Sequence, residues 1–226
     1  MAVQDKLDIL QQGHRWVVIN KPAGIATERN FNNDTVEARA QVQWRRPRSE
    51  KKPYVGIVHR LDRPVSGALL LAQNKSTLVA LNDAFAARRT TKTYWALTAA
   101  PLPAVTGQLK DYLLRDKFGR KAIASRRPLP TAKESVLDYR LLRRAGDHYL
   151  YEVRPVTGRF HQIRVQLAAA GAPIIGDATY GSLLPAEPDT IRLHARSLTF
   201  PDPAGGDVTV TAPLPASWPP ITNEEE

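Results

Sequence analysis

Three short segments of this chain place reactive side chains among apolar or glycine-bearing residues. The first is His59-Arg60-Leu61-Asp62, where a carboxylate interrupts two apolar runs and lies between Arg60 and Arg63. A carboxylate at the mouth of a sheet, with cations beside it, can act as nucleophile or base. It can equally be a turn aspartate bonded to its own backbone, a role that Pro64 and Gly67 would favour. The second is Thr157-Gly158-Arg159-Phe160-His161-Gln162-Ile163-Arg164, at the start of a predicted helix whose first N–H groups suit anions. Solvated arginines at a helix start are the common alternative. The third is Lys92-Thr93-Tyr94, where Tyr94 can stack on a nucleobase or simply join a core.

Other chemistries find little support. The chain has no cysteine, which excludes disulfides, thiol catalysis and zinc–thiolate sites. Its five histidines show no metal-ligand spacing, and no phosphate-cradling glycine loop or nucleophile elbow is present. A metal shared by His59 and Asp62 is a weaker reading, and Gly176-Asp177 and Tyr180-Gly181 read as turns without assignable chemistry. The acidic Asp5 and Asp8 and the short apolar runs predict neither a signal peptide nor a membrane span. The expected compartment is the cytoplasm.

Charge narrows the partner. Lys and Arg number 32 against 22 Asp and Glu, and 42% of the 226 residues are hydrophobic. Residues 45–164 hold 25 of the cations and 9 of the acids, whereas the N-terminal flank is balanced and the C-terminal flank acidic, ending in Glu224-Glu225-Glu226. Twenty-two of the cations are arginine, whose planar fork suits phosphates and base faces. A polyanion is one reading and a solvated basic surface the other.

The elements that must carry these residues are predicted as follows. Trp16–Ile19 is a strand ending in a turn at Asn20–Gly24. Residues 30–53 are a mobile basic loop containing Arg45, Arg46, Arg48, Lys51 and Lys52. Tyr54–Val58 and Gly67–Ala72 are strands joined through His59–Ser66. Asn74 caps a helix reaching about Arg89, with Leu78, Leu81 and Phe85 on one face. Thr93–Thr98 is a strand, and residues 99–133, including Arg120 and Lys121, are an excursion outside the core. Val136–Leu142 and Tyr149–Val156 form a hairpin. His161–Ala170 is a helix stopped at Gly171, and Arg192–Phe200 and Val208–Ala212 are closing strands. The expected class is α+β, one domain over residues 1–226 with a core at about 16–218. Its central sheet is mixed but mostly antiparallel, flanked by helices and basic loops.

Taken in order, the motifs resemble the RluA-type pseudouridine synthase family across roughly residues 16–218. Asn20-Lys21-Pro22-Ala23-Gly24 resembles its first motif, and His59–Asp62 with Ser66-Gly67 its catalytic motif. Lys92-Thr93-Tyr94, Thr157–Arg164 with Gly171, Pro173, Gly176-Asp177 and Tyr180-Gly181, and Leu193-His194-Ala195 are similar to later ones. The chain departs at Arg63-Pro64-Val65, where Asp-Thr is more usual, at Phe160 for Thr, and at Gln166 for His. These departures are expected to reshape an RNA-facing loop. With its first motif near residue 16, the chain is expected to lack an S4-like RNA-binding domain.

The resemblance implies an RNA-modifying isomerase that converts chosen uridines of tRNA or rRNA to pseudouridine within the pseudouridine synthase fold. The target base would be flipped into a pocket. Asp62 would be the catalytic carboxylate, whether it acts first on the sugar or on the base. Arg164 would hold it ionised and oriented, Tyr94 would stack on the base, and Ile163 would pack beneath it. His59, Arg60, Lys21, Arg159, His161 and Gln162 are expected substrate contacts. Arg45, Arg46, Arg48, Lys51, Lys52, Arg120 and Lys121 are expected phosphate contacts. No metal, organic cofactor or membrane is implied, and a monomer is the expectation. The rivals are a catalytically inactive RNA-binding module with this fold and a metal-dependent nuclease.

Overall fold

A computed structural model describes residues 6–29, 34–48, 50–118 and 120–218; Asp5, Ser49 and the acidic tail lie outside these. Eleven strands join one sheet. They are β1 (Asp8–Gln12), β2 (Trp16–Lys21), β3 (Gly56–Ile57), β4 (Ser66–Ala72), β5 (Thr91–Thr98), β6 (Thr106–Arg115), β7 (Ala122–Ser125), β8 (Lys133–Ala145), β9 (His148–Pro155), β10 (Leu193–Pro201) and β11 (Asp207–Thr211). The main path runs β1-β2-β4-β10-β5-β9-β8-β6-β7, with β3 on β4 and β11 on β10. Every pairing is antiparallel except β4 with β10, so the α+β, mostly antiparallel expectation holds.

The central strands are apolar on both faces because both faces are covered. Val17, Ile19, Leu69 and Leu71 point into one cluster with Val36, Leu137, Ile163 and Leu167. The alternating Trp16, Val18, Ala68 and Leu70 join Leu81, Phe200 and Val210 in another. Helices α1 (Val36–Gln43) and α3 (Gln162–Ala169) thus cover the first face, and α2 (Lys75–Ala86) the second. Asn74 caps α2 as expected, its Oδ1 accepting from Thr77 N at 2.8 Å. Gly171, at φ +86°, follows the last turn of α3.

Two expectations fail and one strand was missed. Residues 30–53 are not all loop: Thr35 caps α1, and Val36 and Ala40 are fully buried beneath its polar Glu37, Arg39, Gln41 and Gln43. Asn30–Asn33 lie outside the described residues. Residues 99–133 are not an excursion either, because β6 and β7 lie there and bury Leu109, Asp111, Leu113 and Ala122, and Leu102 ahead of them is buried too. The inward Asp111 broke the apolar alternation that would have marked β6. Strand β1, with Ile9 exposed, was not anticipated.

The parallel seam between β4 and β10 is two residues long, Ser66 opposite His194 and Gly67 opposite Ala195. Gly67 adopts φ +115°, and a Cβ there would collide with the Ala195 backbone, so only glycine permits this approach. Ser66 Oγ and His194 Nδ1 are 2.8 Å apart across the same seam.

Candidate active site

Asp62 lies in the loop between β3 and β4, four residues before the seam. That loop is tied down from several sides. Lys21, fully buried, donates from Nζ to the carbonyls of Pro22 (3.0 Å), Arg63 (3.2 Å) and Val65 (2.8 Å). Three acceptors match the three N–H groups of an ammonium. Burial nevertheless pulls the Lys21 pKa down to about 7, with Asp62 working in the opposite direction. Thr27 Oγ1 donates to Leu61 O at 3.0 Å, Gly24 N to Arg63 O at 2.9 Å, and Ile191 N to Pro64 O at 3.2 Å. Within the loop, Val65 N bonds Asp62 O at 3.0 Å, a turn closed by main-chain atoms and not by the aspartate side chain of the alternative reading.

The carboxylate faces α3. Arg164 Nη1 donates to Asp62 Oδ2 at 3.2 Å. The rest of the guanidinium fork is clamped by Asp177, Nε to Oδ2 at 2.7 Å and Nη2 to Oδ1 at 2.9 Å. Arg164 and Asp177 side chains are 6% and 1% exposed, whereas that of Asp62 is 28% exposed. A buried bidentate pair therefore holds one further N–H toward a carboxylate that solvent or substrate can reach.

His161 stands beside them with Nε2 3.7 Å from Asp62 Oδ2. It begins α3 in the left-handed region at φ +53°, a conformation histidine tolerates better than most residues. Its Nδ1 is 2.9 Å from the Tyr180 hydroxyl, which also accepts from Ala122 N at 2.7 Å. Burial pushes Tyr180 up to about 12, so its phenol is protonated and can donate to an Nδ1 that carries no proton. Burial, opposed by Asp62 and reinforced by Arg164, lowers the His161 pKa. Tyr94 projects from β5 and is half-buried; burial first, and Asp62 second, raise its pKa well above the phenol range.

Asp62, Arg60, Tyr94, His161, Ile163 and Arg164 line one cleft of about 710 Å³, roomy enough for a nucleoside. Residues from β5, α3 and the β3–β4 loop thus converge where the sequence motifs placed them. Residues 15–169 match the family model described as RNA pseudouridylate synthase. The chain belongs to this family.

Ribosomal large subunit pseudouridine synthase D of Borreliella burgdorferi is 34% identical over 76% of the chain, and that of Xanthomonas campestris pv. campestris 32% identical over 95%. The chain spans about half the length of the first relative (54%) and 68% of the second. Among solved structures, the human protein RNA pseudouridylate synthase domain containing 1 aligns with a TM-score of 0.77 at 27% identity, covering 95% of this chain and 86% of that one. Human RNA pseudouridylate synthase domain containing 4 gives 0.74 at 25% identity, covering 92% and 89%. The fold is that of pseudouridine synthases.

Several members of the expected contact set do other work in this family site. Lys21 was expected to touch substrate, but its Nζ is spent on three carbonyls and it instead shapes the Asp62 loop. His59 borders the cleft while its Nε2 accepts from Leu70 N at 3.1 Å and its ring stacks on Phe85. Gln162 accepts from Thr157 Oγ1 (2.8 Å) and Arg159 N (2.9 Å) and donates to Val136 O (3.0 Å), fixing the loop ahead of α3. Arg60, paired with Glu28 at 2.9 Å, and Arg159 are exposed at the rim. Gln166 does not face RNA, as a departure reshaping an RNA loop would: it is fully buried, bonded to Leu109 O, Asp111 Oδ2 and Ser135 O.

The expected phosphate contacts fall into two groups. Arg46, Lys51 and Lys52 line a separate cleft with Trp44 and Tyr54, beside Gln73 at the far end of β4. Seven strand residues separate that end from the Asp62 loop, roughly 23 Å. Arg45 and Arg48 are exposed on the same loop. Arg120 and Lys121 are exposed at the β6–β7 turn, where Asp116 Oδ1 accepts from both backbone N–H groups at 2.7 and 3.2 Å.

Asp177 and Tyr180 are the residues the sequence reading assigned no chemistry. Their partners lie 13 to 58 positions away, so no local pattern reveals them.

Proposed function

We propose that this chain isomerises uridine in RNA to pseudouridine, with Asp62 as the catalytic carboxylate. The observation that carries the proposal is the partly exposed Asp62 carboxylate in a nucleoside-sized cleft, oriented by Arg164 while Asp177 fixes Arg164. In the reaction the N1–C1′ bond breaks, the uracil turns, a C5–C1′ bond forms, and the proton lost from C5 is balanced by one gained at N1. Asp62 serves the glycosidic cleavage, by attack on the sugar or on the ring.

Arg164 keeps that oxygen aimed through a charge-assisted bond. Tyr94 enters as a neutral phenol, since burial and Asp62 both disfavour its phenolate, and its ring covers the base. Ile163 supplies the apolar floor. Because the reaction neither changes oxidation state nor hydrolyses a bond, no metal or organic cofactor is required.

A stacked, paired uridine cannot present both N1 and C5 to one carboxylate, so the target base is flipped out. The exposed cations at 45–52 and 120–121 grip RNA phosphates on either side. Ribosomal RNA is the first substrate to test, because the relatives named above are ribosomal large subunit enzymes; tRNA is the second. Among the described residues no helix is long and apolar enough to cross a membrane. A cytoplasmic, monomeric enzyme acting as one domain fits this reading.

The test is to map pseudouridine across total RNA from a deletion strain and its parent, then restore wild-type or Asp62→Asn protein. Sites should vanish in the deletion, return with the wild type, and stay absent with Asp62→Asn. Return of the sites with Asp62→Asn would overturn the assignment. Unchanged activity in a chelator separates this enzyme from a metal-dependent nuclease.

A further inference from the structure

At the rim of the cleft three planar groups lie in a row. The His161 and Phe160 rings stack with centroids 3.8 Å apart and an interplanar angle of 20°. On the other face of Phe160 sits the Arg115 guanidinium, 4.1 Å from the ring centroid. Phe160 and His161 line the cleft that holds Asp62, whereas Arg115 does not and is exposed. Among the described residues the Arg115 side chain makes no other hydrogen bond or ion pair. Among the described residues its five N–H groups are thus left for a ligand, and the side chain is exposed.

We propose that Arg115, Phe160 and His161 form a stacking platform for the nucleobase next to the flipped uridine in single-stranded RNA. The inference rests on the reading that uridine enters the cleft. Both faces of Phe160 are covered, so the incoming base stacks on the outer face of Arg115, while in-plane N–H groups meet the adjoining phosphate. The layers repeat at close to 4 Å, near the base rise of about 3.4 Å in a nucleic-acid strand, so the row continues an RNA stack into the protein. Arg115 lies outside the cleft, which makes the occupant a neighbour of the reacting base rather than that base.

Phe160 is the element that creates the platform. A threonine there would leave the guanidinium without a ring to rest on and His161 without its stacking partner. The platform reads a base by its face, so a purine is favoured over a pyrimidine and any base over none.

Binding tests this without turnover. The probe is a labelled nine-nucleotide oligocytidylate with one central uridine and an adenosine on its 5′ or 3′ side, paired with versions carrying an abasic ribose there. Fluorescence anisotropy should show wild-type protein losing about tenfold in affinity when one of the two adenosines becomes abasic. Arg115→Lys keeps the charge and loses the plane, and Phe160→Thr removes the ring. Each should bind the adenosine probe about tenfold more weakly than wild type and the abasic probe equally well. Equal discrimination by all three proteins, or none by the wild type, would overturn the platform. Either result leaves the Asp62→Asn mapping test untouched, so the two readings fail separately.

Discussion

Asp177 takes two of the hydrogen bonds of Arg164 and leaves a third for Asp62, 102 positions away from Arg164 in the chain. The geometry makes Asp177 a positioning residue: it does not border the cleft, yet it fixes the one guanidinium that, among the described residues, reaches the carboxylate. Asp177→Asn would leave a buried arginine with half its charge compensation, which typically costs about 3–5 kcal/mol. The expected outcome is a lower melting temperature together with a fall in kcat that exceeds any rise in KM. Arg164→Lys keeps the charge but cannot bridge both carboxylates, and a single-turnover rate near that of the wild type would contradict this account.

Asp62→Asn should abolish turnover and change stability little, because its side chain is partly exposed and its backbone turn is retained. Filter binding to the mapped RNA is expected to stay within a few-fold of wild type. A melting temperature several degrees lower would mean the carboxylate is a structural anchor first.

Tyr180→Phe removes one oxygen that serves two partners, Ala122 N and His161 Nδ1. An orphaned buried N–H costs about 1–3 kcal/mol. The His161 titration, followed by NMR, should move upward toward the ordinary imidazole value, since the donor that holds Nδ1 unprotonated is gone. If the His161 pKa does not move, Tyr180 does not donate to it.

Acid should loosen the fold through His194. Burial pulls its pKa from 6.5 to about 4, despite help from Ala212 O. Between those values the unfolded chain binds the proton and the folded chain does not, so stability is full above pH 6.5 and declines as pH falls toward 4. At pH 5 the loss from this group is about 2 kcal/mol. His59, drawn down to about 3, adds in the same direction, although its position at the cleft lets water reduce its share. Urea melts at pH 7.5 and 5 measure the difference, and His194→Gln should shrink it.

Much of the sheet was legible because Trp16–Ile19 and Gly67–Ala72, the bulk of its central strands β2 and β4, are apolar runs bounded by turn residues. Asn74 and Gly171 marked helix ends for local reasons. What escaped was governed by distant partners. Helix α1 shows a polar surface and buries little more than Val36 and Ala40, so its period is faint. In the site, the ordered motifs led to Asp62, Tyr94, Ile163 and Arg164, whereas Lys21 read as a substrate contact because nothing local reveals that two of its three carbonyls belong to residues 63 and 65.

The seam at Gly67 and Ala195 sets the order in which the site can be completed. The loop bearing Asp62 leans on Ile191 N, and the strand that follows it is joined to His194 and Ala195, more than 125 positions downstream. Arg164 and Asp177 also arrive late from the ribosome. Such long-range closures are slow, and domains emerge N-terminal end first. The N-terminal half can therefore pair β2 with β4 while its carboxylate still lacks both its guanidinium and its backstop. A nascent chain released before residue 196 would hold the His59–Asp62 motif intact in sequence while the carboxylate proposed for catalysis still lacks its fixed orientation.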